Sequence, residues 1–450
     1  MLLCAEYVLP ITSDPIEWGA VLVRNGKIRD IGSADLLRLR YPEEEVHDFG
    51  QSALLPGFVD AHTHLENSAL RGIVHDVPYA TWLAALSKKY ERMTQSDWYD
   101  SAILGGLEAL SSGITCIADI TATGAAANAL QKLGMRGVVY REVGAMDKRR
   151  VNYAMKMAAA DIEKWTSTVD SDRITVGIAP ASLFLCHPLV FKRVADFAGS
   201  TLPVAMHLAG SREESNFIMY GSSTLAVHDV QEGRGFVEIP PWLPTGVTPV
   251  NYVLNWGGFN AENVMAVHCV HVSEDDIAQL RKNNVSIVCC PRCNAQLGMG
   301  VAPLTEYLKS GFRVGLGTDS PAASDSTDML SEMRIGMLVQ RAVNPEGFLS
   351  AHKMLELATI GGARVLGLDD KIGSLDIGKM ADIVAVDISG SHQTPTDDPT
   401  SALVNTASGT DVLMSMVNGR ILYEENKWHV DVEVAKSIAH VIEIRGKLRD

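Results

Sequence analysis

The stretch ALLPGFVDAHTH, residues 53–64, leads an apolar run into two histidines. Seven more short apolar runs follow, separated by stretches long enough for a helix. These runs are GITCIADI (113–120), MRGVVYREV (135–143), RITVGIAPA (173–181), LPVAMHLA (202–209), VMAVHCVHV (264–272), VSIVCCPRC (285–293) and FRVGLGTDS (312–320). Strands covered on both faces read as continuous apolar runs, so the eight runs predict an α/β fold, a (β/α)8 TIM barrel. A doubly wound sheet gives the same alternation, and the count of eight favours the barrel.

The segments between the runs carry the apolar spacing of amphipathic helices. SDWYDSAILGGLEALSSG (96–113) and SEDDIAQLRKNN (273–284) are two examples. One connection has a different composition: residues 238–255, which contain PPWLPTGVTP, are predicted to form a long proline-rich loop after the fifth strand.

Both ends of the chain alternate apolar and polar residues and contain hairpin turns. GAVLVRNGKIRDIG (19–32) turns at Asn25-Gly26, and DVLMSMVNGRILYEENKW (411–428) turns at Asn418-Gly419. These patterns predict one small β-sandwich domain built from both ends, residues 1–51 plus 372–450, around a barrel of residues 52–371.

The composition excludes several classes of function. The 450 residues are 46% hydrophobic and 21% charged, with a net charge of −15, which argues against nucleic-acid binding. No apolar run approaches the roughly 18 residues of a membrane span, and the N-terminus lacks a signal-peptide pattern. Seven scattered cysteines fit reduced thiols. We therefore expect a cytoplasmic protein that acts on a small molecule.

Metal-ligand residues follow four of the predicted strands. The first run ends in His62 and His64, the fifth in His207, the sixth in His268 and His271, and the eighth in Asp319. Residues i and i+2 of a strand face the same way, and the carboxyl ends of barrel strands form the active-site face.

Three histidines and a carboxylate suit Zn²⁺ or Fe²⁺ and leave room for a water molecule. A histidine at the end of one strand, taken alone, is more often a structural core residue, and the prediction rests on four such strand ends falling on one face. A pair of cysteines, Cys290 and Cys293, has no second pair to complete a zinc site. The fourth run contains no lysine to bridge a second metal, so one ion is expected.

Five segments resemble the amidohydrolase superfamily, in particular the aminohydrolases and chlorohydrolases that act on heteroaromatic rings. They are PGFVDAHTHLENSALRG (56–72), HLA (207–209), HCVHV (268–272), CPRCNAQLGMGVAP (290–303) and GLGTDSPAASDSTDMLSEMR (315–334). The resemblance implies a barrel with a composite β-sandwich. It also implies one divalent metal ion, Zn²⁺ before Fe²⁺, held by His62, His64, His207 and Asp319.

Within this superfamily the chain is most similar to aminofutalosine deaminase-like and methylthioadenosine/S-adenosylhomocysteine deaminase-like hydrolases. The implied activity is hydrolytic deamination of a 6-aminopurine nucleoside by a metal-bound hydroxide. Asp319 would take a proton from the water, and His268 would hydrogen-bond the attacking oxygen. The expected substrate-binding residues are Glu91, Trp82, His271 and Asn294. A homodimer is expected by analogy with these families.

Two positions depart from the deaminase pattern. Gly210 stands where the deaminases have the glutamate that protonates the ring, and Ala181 stands where they have a substrate-binding histidine. One explanation is that Glu213 or Glu214 substitutes as proton donor. A second is hydrolysis of another C–N or C–Cl bond on a heteroaromatic ring, which would not need the glutamate. A third is a catalytically impaired homologue that keeps the metal and binds a ligand.

Overall fold

The computed structural model describes residues 1–225 and 243–449. In this part of the chain the strands are β1 (Leu2–Val8), β2 (Ile16–Arg24), β3 (Lys27–Ser33), β4 (Val46–Asp48), β5 (Ser52–Pro56), β6 (Phe58–Thr63), β7 (Ile114–Thr121), β8 (Arg136–Val143), β9 (Ile174–Pro180), β10 (Val204–Leu208), β11 (Val264–His268), β12 (Ser286–Cys289), β13 (Val314–Leu316), β14 (Ile383–Asp387), β15 (Val412–Val417), β16 (Arg420–Glu424) and β17 (Lys427–Trp428).

The α-helices of the same residues are α1 (Ala34–Arg40), α2 (Tyr79–Tyr90), α3 (Gln95–Ser111), α4 (Ala125–Leu133), α5 (Val151–Thr168), α6 (Leu189–Ala198), α7 (Arg212–Tyr220), α8 (Pro249–Asn255), α9 (Glu274–Lys282), α10 (Pro291–Gln296), α11 (Leu304–Lys309), α12 (Pro321–Ser324), α13 (Met329–Val343), α14 (Ala351–Glu356), α15 (Gly362–Leu366), α16 (Pro399–Asn405) and α17 (Val434–Arg449). Short 3₁₀ turns span Leu65–Leu70, Lys148–Arg150, Leu183–Leu185 and Gly409–Asp411, and a π turn spans Leu357–Gly361.

Strands β6 to β13 form a parallel sheet in sequence order, which confirms the predicted TIM barrel. The two edge strands meet where Thr63 bridges to Asp319, and the Asp319 N–H donates to the His62 carbonyl at 2.9 Å. The closing contact of the barrel therefore lies between two of the predicted metal-ligand positions.

The opening stretch, residues 53–64, is divided between two sheets. Its first part belongs to β5, which pairs with β1 and β14, and its second part is the barrel strand β6. Gly57 separates them, and a Cβ there would lie 2.1 Å from the Thr115 hydroxyl oxygen. Only glycine fits this close approach. The single apolar run in the sequence is therefore two strands, one in each sheet, that meet at Gly57.

The chain ends form a second, mixed sheet in the order β17-β16-β15-β14-β5-β1-β2-β3, with β4 beside β1. Both predicted hairpin turns are confirmed. Asn25-Gly26 and Asn418-Gly419 have φ angles between 53° and 74°, as a type I′ turn requires. The core of this sheet includes Leu3, Val21, Ile28, Leu54, Ile383, Met414 and Met416.

A buried ion pair joins the two sheets. Arg136 Nε donates to Asp382 Oδ2 at 2.6 Å, Arg136 Nη2 donates to Oδ1 at 3.1 Å, and both side chains are 1% exposed. The domain boundaries at 51/52 and 371/372 stay a prediction. In the structure the mixed sheet includes Ser52–Pro56, and α17 packs against α3 of the barrel, where Ser437 Oγ donates to Asp100 at 2.8 Å.

The two quoted helices are confirmed as α3 and α9. Thr94 and Ser273 cap them, each with an aspartate three residues later completing a capping box. The proline-rich loop predicted for residues 238–255 is wrong at its end: Thr248 caps the helix α8 with proline in its first turn. Residues 238–242 of that prediction lie outside the described residues.

Candidate active site

Four histidines and one aspartate meet at the carboxyl end of the barrel. His62 lies in β6, His64 follows that strand, and His207 lies in β10. His268 ends β11, and Asp319 follows β13. The structure thus brings together all the predicted metal ligands and the predicted catalytic histidine.

The donor atoms form two overlapping groups, each with all its atoms within 4.8 Å of one another: His62 with His64 and His207, and His62 with His268 and Asp319. His64 Nε2 lies 3.2 Å from His207 Nε2, and Asp319 Oδ1 lies 3.4 Å from His62 Nε2 and 3.8 Å from His64 Nε2. Two nitrogens bound to one tetrahedral zinc are about 3.4 Å apart. The Asp319 Oδ2 atom lies 3.7 Å from His268 Nε2.

The hydrogen bonds of the histidines fit a divalent cation. His64 Nδ1 is 2.9 Å from the Ile120 carbonyl, so it carries the proton and leaves Nε2 as a lone pair. Among the described residues, neither ring nitrogen of the buried His62 has a hydrogen-bond partner, and neither does His207 Nδ1. A cation bound by Nε2 would give the buried His62 ring one of the two partners it lacks.

The electrostatics keep the cluster in the protonation state that metal binding needs. Burial lowers the pKa of His62 to about 4 and that of His207 well below its usual value, so both rings are neutral. Burial acts to raise the pKa of Asp319, but the adjacent His62 ring, whose Nε2 lies 3.4 Å from Oδ1, holds that pKa well below the usual range. Asp319 is therefore ionised.

Strained backbone accompanies the cluster. Ala209, His268, Cys269 and Asp319 all have positive φ, between 44° and 74°. Non-glycine residues adopt this conformation only where the surroundings enforce it, and such residues concentrate at functional sites.

The structure assigns two of the predicted substrate-binding residues to supporting contacts. Asn294 Oδ1 lies 2.9 Å from His268 Nδ1, so it fixes that ring with the proton on Nδ1 and a free Nε2. His271 Nε2 donates to the Met299 carbonyl at 2.7 Å and holds the loop after β12.

Of the other two predicted substrate-binding residues, Trp82 lies on α2 and Glu91 directly follows that helix. Trp82 is buried, donates from Nε1 to the Ala322 carbonyl at 3.1 Å, and stacks near Tyr79. Glu91 is exposed at the C-terminal end of α2, and in the described part of the chain no contact joins it to the cluster. Tyr79, the first residue of α2, stacks with Trp82 and was not among the residues predicted from the sequence. Burial first, then the carboxylates of Glu214 and Asp319, raise the pKa of its hydroxyl.

The position of the missing glutamate is filled by neighbouring groups. A Cβ on Gly210 would lie 3.1 Å from Met299 Cε and 3.2 Å from His268 Cδ2. The carboxylate of Glu214, 4% exposed, accepts the N–H groups of Ala209 at 2.9 Å and Gly210 at 3.2 Å.

Glu214 and Glu213 differ in their surroundings. Burial raises the pKa of Glu214 to about 7, although its two backbone hydrogen bonds oppose the shift. Glu213, one residue earlier, is half-buried. Of the two candidate proton donors, Glu214 is the buried one, and its carboxylate is bound to the backbone just after His207.

Two buried acids support the ligands, and sequence reasoning missed both. Asp60 accepts the N–H groups of His62 and Thr318 and the Thr318 hydroxyl, which ties β6 to the strand before Asp319. Asp119 accepts from the Thr63 hydroxyl and the Leu65 N–H, on either side of His64. The sequence signal was available: both are acids inside apolar runs.

The cysteines are free, buried thiols. Burial raises the pKa of Cys116, Cys186 and Cys289 to about 12 and that of Cys290 and Cys293 well above its usual value. These thiols are protonated, as expected of core residues.

Residues 53–422 match the model of the amidohydrolase family. The chain belongs to the amidohydrolase family. This amidohydrolase is 31% identical over 420 residues to the 5-methylthioadenosine/S-adenosylhomocysteine deaminase of Moorella thermoacetica, with 92% of each chain covered. It is 32% identical over 426 residues to the protein of the same name from Symbiobacterium thermophilum, covering 93% of this chain and 92% of that one.

Two solved structures are similar over essentially the whole amidohydrolase. An adenosine deaminase from Xanthomonas campestris with bound zinc has a TM-score of 0.85 at 26% identity, covering 100% of this chain and 98% of that one. The atrazine chlorohydrolase of Arthrobacter aurescens TC1, complexed with zinc, has a TM-score of 0.82 at 22% identity and 99% coverage of both chains, which supports the fold.

The family confirms the prediction of a metal-dependent hydrolase with a divalent cation. In residues 1–225 and 243–449, no helix has both the length and the apolar character needed to cross a bilayer. The cytoplasmic location, the homodimer and the absence of nucleic-acid binding stay predictions.

Proposed function

We propose that this amidohydrolase hydrolyses the exocyclic amine of a 6-aminopurine nucleoside, of the 5-methylthioadenosine or S-adenosylhomocysteine class, and releases ammonia. The observation that carries the proposal is the 31% identity over 92% of both chains with a deaminase of that name. The cluster of histidines and Asp319 at the barrel mouth supports it, because it gives the chain the donor set that hydrolysis needs.

One ion, Zn²⁺, is proposed with His62, His64, His207 and Asp319 as ligands. The donor set of three imidazoles and one carboxylate favours this ion. When bound, the cation polarises a water molecule and brings its pKa towards about 7.

Asp319 and His268 handle the proton of the attacking water. Asp319 is ionised, and its Oδ2 atom faces the unprotonated Nε2 of His268 at 3.7 Å. Both groups can accept the proton that the water loses as its oxygen adds to C6 of the purine. The C6–N bond then breaks, the amine leaves as ammonia after receiving a proton, and a 6-oxopurine remains.

Glu214 is proposed to deliver the proton to the ring. It is buried, its carboxylate accepts the N–H of Gly210, the residue that stands in place of the glutamate, and its pKa of about 7 makes both protonation states accessible. Proton transfer by a group with a pKa near the working pH is the most effective kind.

The test is ammonia release from 5-methylthioadenosine, S-adenosylhomocysteine and adenosine by protein reconstituted with Zn²⁺. Saturable release from at least one nucleoside, abolished in Asp319→Asn, is expected. Activity confined to triazines, aminopyrimidines or pterins would show that the substrate is another heteroaromatic ring and not a purine nucleoside. No turnover across the whole panel, with bound metal verified, would favour a ligand-binding homologue.

A further inference from the structure

A cavity outside the metal cluster lies between α2 and the C-terminal helix α17. Its volume is about 350 Å³. The residues that line it are Gly72, Ile73, Val74, Ala85, Lys89, Arg445, Leu448 and Arg449. Ile73, Val74, Ala85 and Leu448 contribute the apolar side chains of this lining, and the charged groups all come from the two helices.

All three charged residues of this lining are cationic. Lys89 Nζ donates to the Leu448 carbonyl at 2.7 Å, which fixes the ammonium at the cavity. The Nη1 atom of Arg445 is buried and has no hydrogen-bond partner. In the part of the chain that the structure describes, neither Arg445 nor Arg449 forms an ion pair with a carboxylate.

The charge balance of the protein makes this arrangement unusual. The chain has 54 acidic and 39 basic residues, so acidic groups outnumber basic ones. Here burial, and then the charge of Arg449, lower the pKa of Arg445, which means that the cations destabilise one another. Uncompensated cations that converge on a cavity are stabilised when an anion enters it.

We infer that this cavity binds a small organic anion with at least two negative charges, a phosphate monoester or a polycarboxylate. Its anionic group lies among Lys89, Arg445 and Arg449, where guanidinium groups can bind two oxygens at once. Its apolar part lies against Ile73 and Val74.

The position of the cavity connects it to the barrel mouth. Ala85 and Lys89 follow Trp82 by one and two turns on the same face of α2, and Trp82 contacts Ala322 beside the cluster. Residues 72–74 link the turn after His64 to α2. An anion in the cavity therefore stabilises the helix that carries Tyr79 and Trp82.

The experiment measures anion binding directly, without reference to activity. Inorganic phosphate, butyl phosphate and citrate are titrated into the full chain at constant ionic strength, with thermal shift and calorimetry as readouts. The variants are Arg445→Gln and Lys89→Gln, and Lys164→Gln, an exposed lysine on α5, is the matched control for the loss of one charge.

Saturable binding of any of the three anions, weakened at least about tenfold in both cavity variants and unchanged in the control, is expected. Tighter binding of butyl phosphate than of inorganic phosphate would support a contact between the ligand's apolar part and Ile73 and Val74. Tighter binding of citrate than of both phosphates would identify the ligand as a polycarboxylate. Equal affinity in all variants, or no saturable binding by the wild-type protein up to about 20 mM, would overturn the inference. Circular dichroism of each variant verifies that it is folded.

Discussion

The Nε2 atoms of His64 and His207 lie 3.2 Å apart, with the two imidazole rings stacked at an angle of 12°. Because the proton of His64 is on Nδ1, its Nε2 offers a lone pair to this gap. Either a proton on His207 Nε2 or a cation must lie between the two nitrogens. In the metal-bound state we propose, the proton of the neutral His207 ring would lie on Nδ1.

Removal of the metal is expected to lower the melting temperature and abolish activity. A ligand at about a thousand times its dissociation constant stabilises the folded state by about 4 kcal/mol. His207→Ala should bind metal at least about tenfold more weakly, because one of the four proposed ligands is lost. Metal content by mass spectrometry, with and without chelator, tests this. His352→Ala, an exposed histidine, should retain the full metal content.

Glu214→Gln is expected to reduce kcat by roughly 10²–10⁴-fold with metal content unchanged, because it removes the proposed proton donor. Glu213→Gln is the matched control and should stay close to the wild-type rate. Since the protonated form donates, the wild-type rate should fall as the pH rises above about 7. The Glu214→Gln variant should not show this fall in rate above about pH 7. If the fall is unchanged in the variant, a group other than Glu214 causes it.

The same substitution changes the pH dependence of stability. Burial raises the pKa of Glu214 to about 7 from its ordinary value of 4.5, so the folded state holds this proton more tightly than the unfolded state. The associated stabilisation, of the order of 3 kcal/mol, is present below about pH 4.5 and lost as the pH rises through about 7. Denaturant unfolding at several pH values measures this effect. Between about pH 4.5 and pH 7 the free energy of unfolding should fall less in Glu214→Gln than in the wild-type protein.

Gly210→Glu alone is expected to give little gain in activity. The new Cβ would contact Met299 Cε at 3.1 Å and the His268 ring at 3.2 Å, and Asn294 prevents that ring from moving freely. Met299→Ala removes the first contact. The double variant should therefore exceed Gly210→Glu in kcat, and Met299→Ala by itself should not raise the rate. Equal rates in the single and double variants would mean that Met299 does not block the position.

Asp382→Asn is expected to destabilise the protein strongly. It leaves the Arg136 guanidinium buried without its carboxylate, which costs about 3–5 kcal/mol. Replacing both residues by apolar ones should recover much of that loss. Asp431→Asn is the control, since its 3.4 Å pair with Lys132 is exposed and worth less than about 1 kcal/mol. Chemical denaturation measures all three.

The barrel, and the meeting of the histidines and Asp319 at its mouth, could be predicted because they depend on local patterns. Eight apolar runs predict buried parallel strands, and residues at the ends of such strands must share one face of the barrel. The hairpins at Asn25-Gly26 and Asn418-Gly419 were predictable for a similar reason, because positive φ at two successive positions restricts the residue types.

What could not be predicted depends on contacts between distant residues. Nothing in the run from Ala53 to His64 indicates that Thr115 comes so close to Gly57 that the run divides between two sheets. The supporting role of Asn294 is known only from its distance to His268 in the fold. The solvent exposure of Glu91 is known only because α2 ends just before it. The sequence position of Glu214 suggests it as a proton donor, but only the fold shows that it is buried.

The division of that run has a consequence for the growing chain during synthesis. Ser52–Pro56 is made early, yet one of the two strands that flank it, Ile383–Asp387, is made more than three hundred residues later in the chain. The segment that leads directly into His62 thus lacks one of its neighbours while most of the polypeptide is still being translated. Loading of the ion is accordingly expected to come late, after the ribosome has delivered β14, and nascent chains stalled before that strand should bind it poorly.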